Sequence, residues 1–292
     1  MQKLSPIEVR EICDELGEAY PIRIEHVHGG DIHSAWRIEF TDKKIFLKRN
    51  DRDKKLLEFE NYCLQNLRKF INPKYLVIPE VILFKKIKDI EILLIEWIDM
   101  QNIGQKMLGK GLGEMHLNSA EFNPKSFGYP VRGFIGTTEQ KQGWENNWID
   151  CFLNLRILPQ ISILKSNVLD SETIKKVIEK IKLELVNHKP INALVHGDLW
   201  SGNIGIDKSG KGVIFDPASW WADNEVDIAM TRLFGGFRKE FYEQYHKIFP
   251  IKQGFEKRII IYNFYHILNH ANMFGGGYLK QVKDYVKAIL NM

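Results

Sequence analysis

The spacing of apolar residues changes near Gly104, and this change constrains the fold of the 292-residue chain more than any other feature. Before it, short apolar runs bounded by turn residues predict strands. These strands are expected at residues 23–27, 35–40, 44–48, 77–84 and 90–95. One segment, 55–70, instead carries apolar residues at helical spacing. The first hundred residues therefore predict an antiparallel sheet with one packed helix.

After Gly104 the pattern is mainly helical, with apolar residues recurring three and four positions apart. Helices are expected at residues 105–119, 148–163, 171–188, 225–234, 238–247 and 256–273, and short strands at 193–195, 204–206 and 212–215. The sequence thus predicts an α+β chain with a small β-rich lobe, 1–98, and a larger helical lobe, 99–292. Ligands usually bind in the cleft between such units.

Composition and charge narrow the possible partners. The net charge of +4 is spread along the chain, so neither a nucleic-acid surface nor a membrane-binding patch is expected. No apolar run approaches the roughly 20 residues that span a bilayer. The three cysteines, Cys13, Cys63 and Cys151, have neither metal-site nor disulfide spacing, which favours the cytoplasm. We expect a monomer or a weak homodimer.

The strongest chemical signal is the segment His-Gly-Asp-Leu-Trp-Ser-Gly-Asn at 196–203, which lies between two predicted strands. Asp198 precedes Asn203 by five positions, the spacing found in the protein-kinase catalytic loop, and Asp216 ends the next strand. Phosphoryl transfer needs a carboxylate that orients and deprotonates the acceptor hydroxyl, and oxygen ligands for magnesium. We therefore predict Asp198 as the catalytic base, with Asn203 and Asp216 as Mg²⁺ ligands.

Residues of the first lobe could hold the phosphates of ATP. Gly29 and Gly30 would let the backbone approach a phosphate, although a hairpin turn alone would also explain them. Lys48 ends the third strand, where it could bridge phosphates if a glutamate of the next helix pairs with it. We choose Glu60 as this partner and keep Glu58 as the alternative.

The end of the first lobe predicts a further nucleotide contact. Glu96, Trp97 and Ile98 follow the last strand of this lobe, where a linker backbone would meet the adenine edge. They could equally be an ordinary strand end.

Two tryptophans are candidates for an aromatic platform under a sugar. Trp220 follows Asp216 by four residues, and Trp148 could cover the opposite side of the acceptor. Packing in the core is about as good an explanation for these two residues.

With these residues assembled, the chain resembles the fructosamine kinase (ketosamine-3-kinase) family, which is similar to aminoglycoside and choline kinases. Six segments carry the resemblance over nearly the whole chain. They are 28–32, the glycine loop; 46–48, the lysine strand; 194–203, the most distinctive stretch; 215–219; 233–237; and 268–275.

The resemblance implies a protein-kinase-like fold and ATP-dependent phosphorylation at the sugar O3 of ketosamines, such as ribulosamine, erythrulosamine or fructosamine adducts. The amine would be a protein lysine or a free amine, and the activity would amount to deglycation. By motif, the resemblance makes Asp198 the proton acceptor, Asn203 and Asp216 the metal ligands, and Glu96 to Ile98 the ATP contacts. Gln142 stands where the family tends to have asparagine, which leaves the sugar open.

Two other functions are compatible with the same residues. A kinase for an aminoglycoside or an amino alcohol would use acidic side chains against a cationic acceptor. Candidates for that role are Glu139, Glu145, Asp150 and Asp223. A nucleotide-binding pseudokinase is the second alternative, but the joint presence of Lys48, Asp198, Asn203 and Asp216 argues against it.

Overall fold

The computed structural model describes residues 4–27, 33–52, 54–101, 103–122, 124–165 and 168–292. Gly29 and Gly30, the predicted glycine loop, lie outside these residues. In chain order the first elements are α1 (Pro6–Leu16), β1 (Arg23–Val27), β2 (Ser34–Glu39), β3 (Lys44–Asn50), α2 (Leu56–Arg68), β4 (Leu76–Val77), β5 (Val81–Ile87) and β6 (Ile90–Glu96).

A five-stranded antiparallel sheet of order β1-β2-β3-β6-β5 forms the first lobe, as the sequence predicted. Helix α1 begins at a capping box, because Ser5 and Glu8 each accept a hydrogen bond from the other's backbone N–H. Its buried residues Val9 and Ile12 pack on one face of the sheet. Helix α2 is amphipathic, with Leu57 buried in the core that extends into the second lobe.

The second part of the chain contains the other helices and three small sheets. Its elements in chain order are β7 (Met100–Gln101), α3 (Lys106–Glu121), β8 (Phe127–Tyr129), β9 (Gly133–Ile135), β10 (Thr138–Gln140), β11 (Gly143–Glu145), α4 (Trp148–Phe152), a π-helical turn (Leu153–Ile157), α5 (Leu158–Ile163), α6 (Ser171–Leu185), β12 (Asn192–Val195), a 3₁₀ turn (Ser201–Asn203), β13 (Ile204–Asp207), β14 (Gly212–Ile214), β15 (Trp220–Asp223), α7 (Glu225–Leu233), α8 (Lys239–Ile248), α9 (Phe255–Phe274) and α10 (Gly277–Leu290).

Two of these sheets bring the site together. In the sheet β4-β14-β13-β7, the hairpin of β13 and β14 pairs with β4 at one edge and with β7 at the other. Strand β4 precedes residue 98, the predicted boundary between the lobes, and β7 follows it. In the sheet β11-β8-β15-β12, strand β12 pairs with β15 in antiparallel register. The predicted catalytic loop, 196–203, and the segment after Asp216 therefore emerge side by side. No helix in the described ranges is long and apolar enough to cross a bilayer.

Several elements differ from the prediction. The strand predicted at 77–84 is broken into β4 and β5, because Pro79 cannot donate to a sheet ladder. The helix predicted at 148–163 contains a π-helical turn before Pro159. Strands β8 to β11 and β15 have three or four residues each and are too short to show alternation. Helix α10 was not predicted from the sequence.

Candidate active site

Asp198 lies in the loop between β12 and β13, where its carboxylate is half-buried. The Asn203 amide Nδ2 donates to the Asp198 backbone carbonyl at 2.8 Å and to its carboxylate Oδ2 at 3.2 Å. Burial, with the nearby negative charge of Asp216, raises the pKa of Asp198 to about 7, although the Asn203 hydrogen bond opposes the shift. Asp198 and Asn203, five positions apart in the sequence, are thus hydrogen-bonded in the structure, and the pKa of the Asp198 carboxyl lies near neutrality.

A second aspartate, Asp227 in the first turn of α7, fixes the backbone of this loop. Its carboxylate accepts from the N–H of His196 at 2.7 Å and of Gly197 at 2.8 Å. The ring of His116 contacts the same carboxylate at 3.1 Å, and its other nitrogen lies 2.9 Å from the Tyr245 hydroxyl. The carboxylate is fully buried. The sequence favours a structural role for Asp227, but no local motif connects it with the loop that precedes it.

His196 links the catalytic loop to the segment that carries Asp216. Its Nε2 lies 2.9 Å from the carbonyl oxygen of Phe215, and its own carbonyl accepts from the N–H of Ala218 at 2.9 Å. Gly197 has a φ of 84°, and a Cβ there would lie 2.1 Å from the Ala218 carbonyl oxygen. Only glycine therefore fits at this close approach of the two segments.

Lys48 forms an ion pair with one carboxylate of its own lobe and with one of the second lobe. Its Nζ lies 2.7 Å from Glu60 Oε1 and also forms a direct ion pair with Asp216. Burial alone would lower the pKa of Lys48, but Asp216 and Glu60 outweigh it and raise that pKa, so the amine is charged. The Glu58 side chain is 45% exposed and pairs with Lys55, so Glu60, not Glu58, is the residue that pairs with Lys48.

Asp216 adopts an uncommon backbone conformation, with a φ of 57°. Few residues other than glycine enter this left-handed region, and aspartate and asparagine are among those that do. This turn directs the carboxylate toward Lys48 rather than along the strand that precedes it. The sequence placed Asp216 at a strand end but did not indicate this conformation.

Residues 96–98 connect β6 to β7, at the passage between the lobes. The Glu96 N–H donates to the Glu80 carbonyl at 2.8 Å, and Trp97 Nε1 donates to Asp99 at 2.8 Å. Arg37 lies over the Trp97 ring, 5.3 Å from its centroid. Their position agrees with a linker between lobes, while the adenine contact stays a prediction.

The predicted aromatic platform of Trp220 and Trp148 is wrong. The Trp220 side chain is 0% exposed, with the Trp148 ring stacked at 5.6 Å and the Arg156 guanidinium 4.0 Å from its centroid. Trp148 is buried too, and its Nε1 donates to Tyr262 at 3.0 Å. Both rings belong to the core, where neighbouring side chains cover their faces. Proximity to Asp216 in sequence could not reveal which way the β15 side chains point.

An exposed tryptophan lies closer to the catalytic aspartate along the chain. Trp200 is 36% exposed, and its backbone N–H donates to the Asp198 carbonyl at 3.2 Å. Its ring meets Phe234 edge to face at 6.1 Å, and Phe234 lies 5.0 Å from the ring of His270. Sequence analysis found the motif that contains Trp200 but assigned the ring no role.

Comparison with known proteins agrees with this architecture. A sequence model of the family described as fructosamine kinase matches residues 7–292. The chain belongs to the fructosamine kinase family. It is 35% identical over 288 residues to a probable ketoamine kinase of Vibrio parahaemolyticus, covering 97% of this chain and 98% of the relative. A probable ketoamine kinase of Synechocystis is 33% identical, with 99% of each chain covered.

Solved structures share the fold. A protein assigned as a fructosamine-3-kinase from Haemophilus somnus superposes with a TM-score of 0.84 at 24% identity, covering 97% of this chain and 96% of that one. The aminoglycoside phosphotransferase APH(4)-Ia, in a ternary complex with AMP-PNP and hygromycin B, gives 0.65 at 14% identity, with 98% of each chain covered. The family resemblance and the predicted two-lobed kinase fold are therefore confirmed, and this fructosamine kinase family member is a phosphotransferase with an alcohol acceptor.

Proposed function

We propose that this member of the fructosamine kinase family transfers the γ-phosphate of ATP to the O3 hydroxyl of a ketosamine. The acceptor would be a ribulosamine, erythrulosamine or fructosamine adduct on a protein lysine or a free amine. One observation carries the proposal: the Asp198 carboxylate, with a pKa of about 7, faces the charge of Asp216 beside the Lys48–Glu60 pair. This arrangement combines a base with a phosphate-binding cation.

On the nucleotide side, Glu60 holds the Lys48 ammonium in the cleft, where it can contact phosphate oxygens. Asn203 and Asp216 would hold Mg²⁺, and their chemistry fits that ion, which prefers oxygen ligands. The Asn203 Nδ2 is already used in donating to Asp198, so its amide oxygen is the atom left for a cation. Bound ATP would supply the phosphoryl group, and Mg²⁺ would neutralise the negative charge of its oxygens.

On the acceptor side, Asp198 would accept the proton of the O3 hydroxyl as that oxygen bonds to phosphorus. A base with a pKa near the working pH is deprotonated often enough to act and basic enough to accept the proton. The hydrogen bonds from Asn203 hold the loop in place, and Asp227 fixes the backbone N–H groups of His196 and Gly197. The residues therefore act mainly by orientation and electrostatics.

The surface next to Asp198 supports a sugar acceptor. The exposed ring of Trp200 and the half-buried ring of Phe234 beside it offer aromatic surface against which a sugar can lie. Burial lowers the pKa of the neighbouring His270, which is therefore neutral at pH 7. Asp223, a candidate for binding a polycation, is buried and hydrogen-bonded to His188 and Tyr262 at 2.6 Å each.

Deglycation follows as the proposed role, because phosphate at O3 is a better leaving group than hydroxide.

The experiment compares acceptors under identical ATP and magnesium concentrations. We expect ribulosamine-lysine to exceed kanamycin and choline by at least about 100-fold in kcat/KM, on the order of 3 kcal/mol of transition-state discrimination. Fructosamine-lysine and erythrulosamine-lysine, included in the same assay, identify the preferred sugar. ATP consumption and the phosphorylated product are both measured.

A matched pair of variants tests the acceptor surface in the same assay. Trp200→Ala should raise the KM for the ketosamine while leaving the affinity for ATP nearly unchanged. Trp144→Ala is the control, since this tryptophan is 47% exposed and has no part in the proposed site. Comparable kcat/KM values for kanamycin and ribulosamine-lysine would contradict the ketosamine assignment.

A further inference from the structure

Helix α2, which carries Glu60, begins without a cap of its own. Its first residue is preceded by Lys55, whose side chain forms no capping hydrogen bond. Helices α1, α4 and α6, in contrast, are each capped by a side chain of their own segment, from Ser5, Asn147 and Asp170. The free N–H groups of the first turn of α2 need another acceptor, because the helix start is buried.

Glu91 of strand β6 supplies that acceptor from a distance of 34 residues in sequence. Its Oε2 accepts from the backbone N–H of Leu57 at 3.2 Å and from Asn50 Nδ2 at 2.7 Å. Asn50 Nδ2 also donates to the carbonyl of Lys54 at 2.7 Å, which closes the turn before the helix. Both Glu91 and Asn50 are 1% exposed, so these bonds form away from water.

The two residues that donate hydrogen bonds to Glu91 lie close in sequence to Lys48 and to Glu60. Asn50 follows Lys48 by two residues on β3, and it is the register partner of Glu91 in the sheet. Leu57 precedes Glu60 by three residues, which is one helical turn. We propose that Glu91 is a positioning residue for phosphoryl transfer, which fixes α2 against β3 so that Glu60 meets Lys48. This proposal rests on the role that the proposed function gives to Lys48.

Two features of Glu91 favour a specific role over general packing. A carboxylate at a helix N-terminus interacts favourably with the aligned backbone dipoles, and hydrogen bonds to a charged acceptor are stronger than neutral ones. In addition, Glu91 Oε1 is buried and has no hydrogen-bond partner among the described residues. A buried acceptor without a partner is costly, so packing alone would favour a shorter or an apolar side chain here.

The test compares Glu91→Gln with the wild-type protein. The amide keeps the size of the side chain but removes the charge, so the bonds to Leu57 and Asn50 weaken. We expect kcat/KM to fall by roughly 10- to 100-fold and the affinity for a magnesium–ATP analogue to fall with it. Glu58→Gln is the matched control, because it removes an exposed carboxylate from the same helical turn, and it should leave both quantities unchanged.

A double-mutant cycle with Glu60→Gln separates positioning from stability. If Glu91 acts through Glu60, the double variant should lose little more kcat/KM than Glu60→Gln alone. Losses that multiply, or a lower Tm with unchanged kcat/KM and nucleotide affinity, would overturn the proposal. Should Glu91→Gln fail to fold, Asn50→Ala decides. It removes the bonds from Asn50 to Glu91 and to the Lys54 carbonyl but keeps the bond from Leu57 to Glu91, so it should have the same effects at smaller size. Nucleotide affinity is measured without acceptor, so a wrong choice of ketosamine leaves this test intact.

Discussion

Asp198→Asn is expected to lower kcat by about 10²–10⁴-fold, which is the range that a positioned general base contributes. Asparagine has nearly the same shape and can keep the contact with Asn203, but it cannot accept the proton of the acceptor hydroxyl. Nucleotide affinity should therefore be preserved. The measurement is kcat at saturating ATP and ketosamine, with nucleotide affinity determined separately. Turnover within a few-fold of the wild type would show that Asp198 is not the base.

The pH dependence of kcat/KM and of Tm tests the role of Asp198 independently. Asp198 acts in its deprotonated form, so kcat/KM of the wild type should rise with pH through about 7, where half of the carboxyl is deprotonated, and level off above that pH. The raised pKa also means that the folded state binds this proton more tightly than the unfolded chain does. The charged carboxylate therefore costs stability above its ordinary pKa range. Asp198→Asn should consequently raise Tm at pH 8 and change it little at pH 4.

The second large effect is expected for Asp216. Asp216→Asn should reduce kcat by about 10³-fold even at saturating ATP, because it removes both the proposed magnesium ligand and a carboxylate partner of Lys48. Asparagine is preferred to alanine as the replacement because it tolerates the left-handed backbone conformation at this position. A control with Glu58→Gln, which removes an exposed charge, should retain wild-type turnover.

Removal of the metal tests the same step independently. Chelation of Mg²⁺ should abolish turnover by the wild-type protein, and added Mg²⁺ should restore it. Phosphoryl transfer that continues without a divalent cation, or an Asp216→Asn variant with near-normal kcat, would contradict the assignment of Asn203 and Asp216.

The parts of the fold that could be predicted from the sequence are those with local signals. Helix α2 is an example, because its buried face includes Leu57, Phe59 and Leu64, and Glu60 lies on that face while Glu58 does not. Helical periodicity therefore favoured the correct partner of Lys48. A similar signal for α10 was present at Val282, Val286 and Ile289, which recur at helical spacing, but it was overlooked after a run of glycines.

The parts that could not be predicted depend on contacts between distant segments. Asp227 and Glu91 bind backbone N–H groups 30 and 34 residues away, and no local pattern distinguishes them from surface carboxylates. Side-chain direction in a short strand is likewise set by tertiary packing. The sequence therefore favoured Trp220 as a sugar platform, although Arg156 and Trp148 cover it in the folded chain.

The position of the phosphate in the product tests the central claim most directly. The purified protein is incubated with ATP, Mg²⁺ and ribulosamine-lysine, and the product is examined by proton–phosphorus correlation NMR. We expect a phosphate monoester whose phosphorus couples to the single proton on C3 of the sugar. Coupling to the terminal CH₂ group, or ATP hydrolysis at the same rate with and without the ketosamine, would contradict the account.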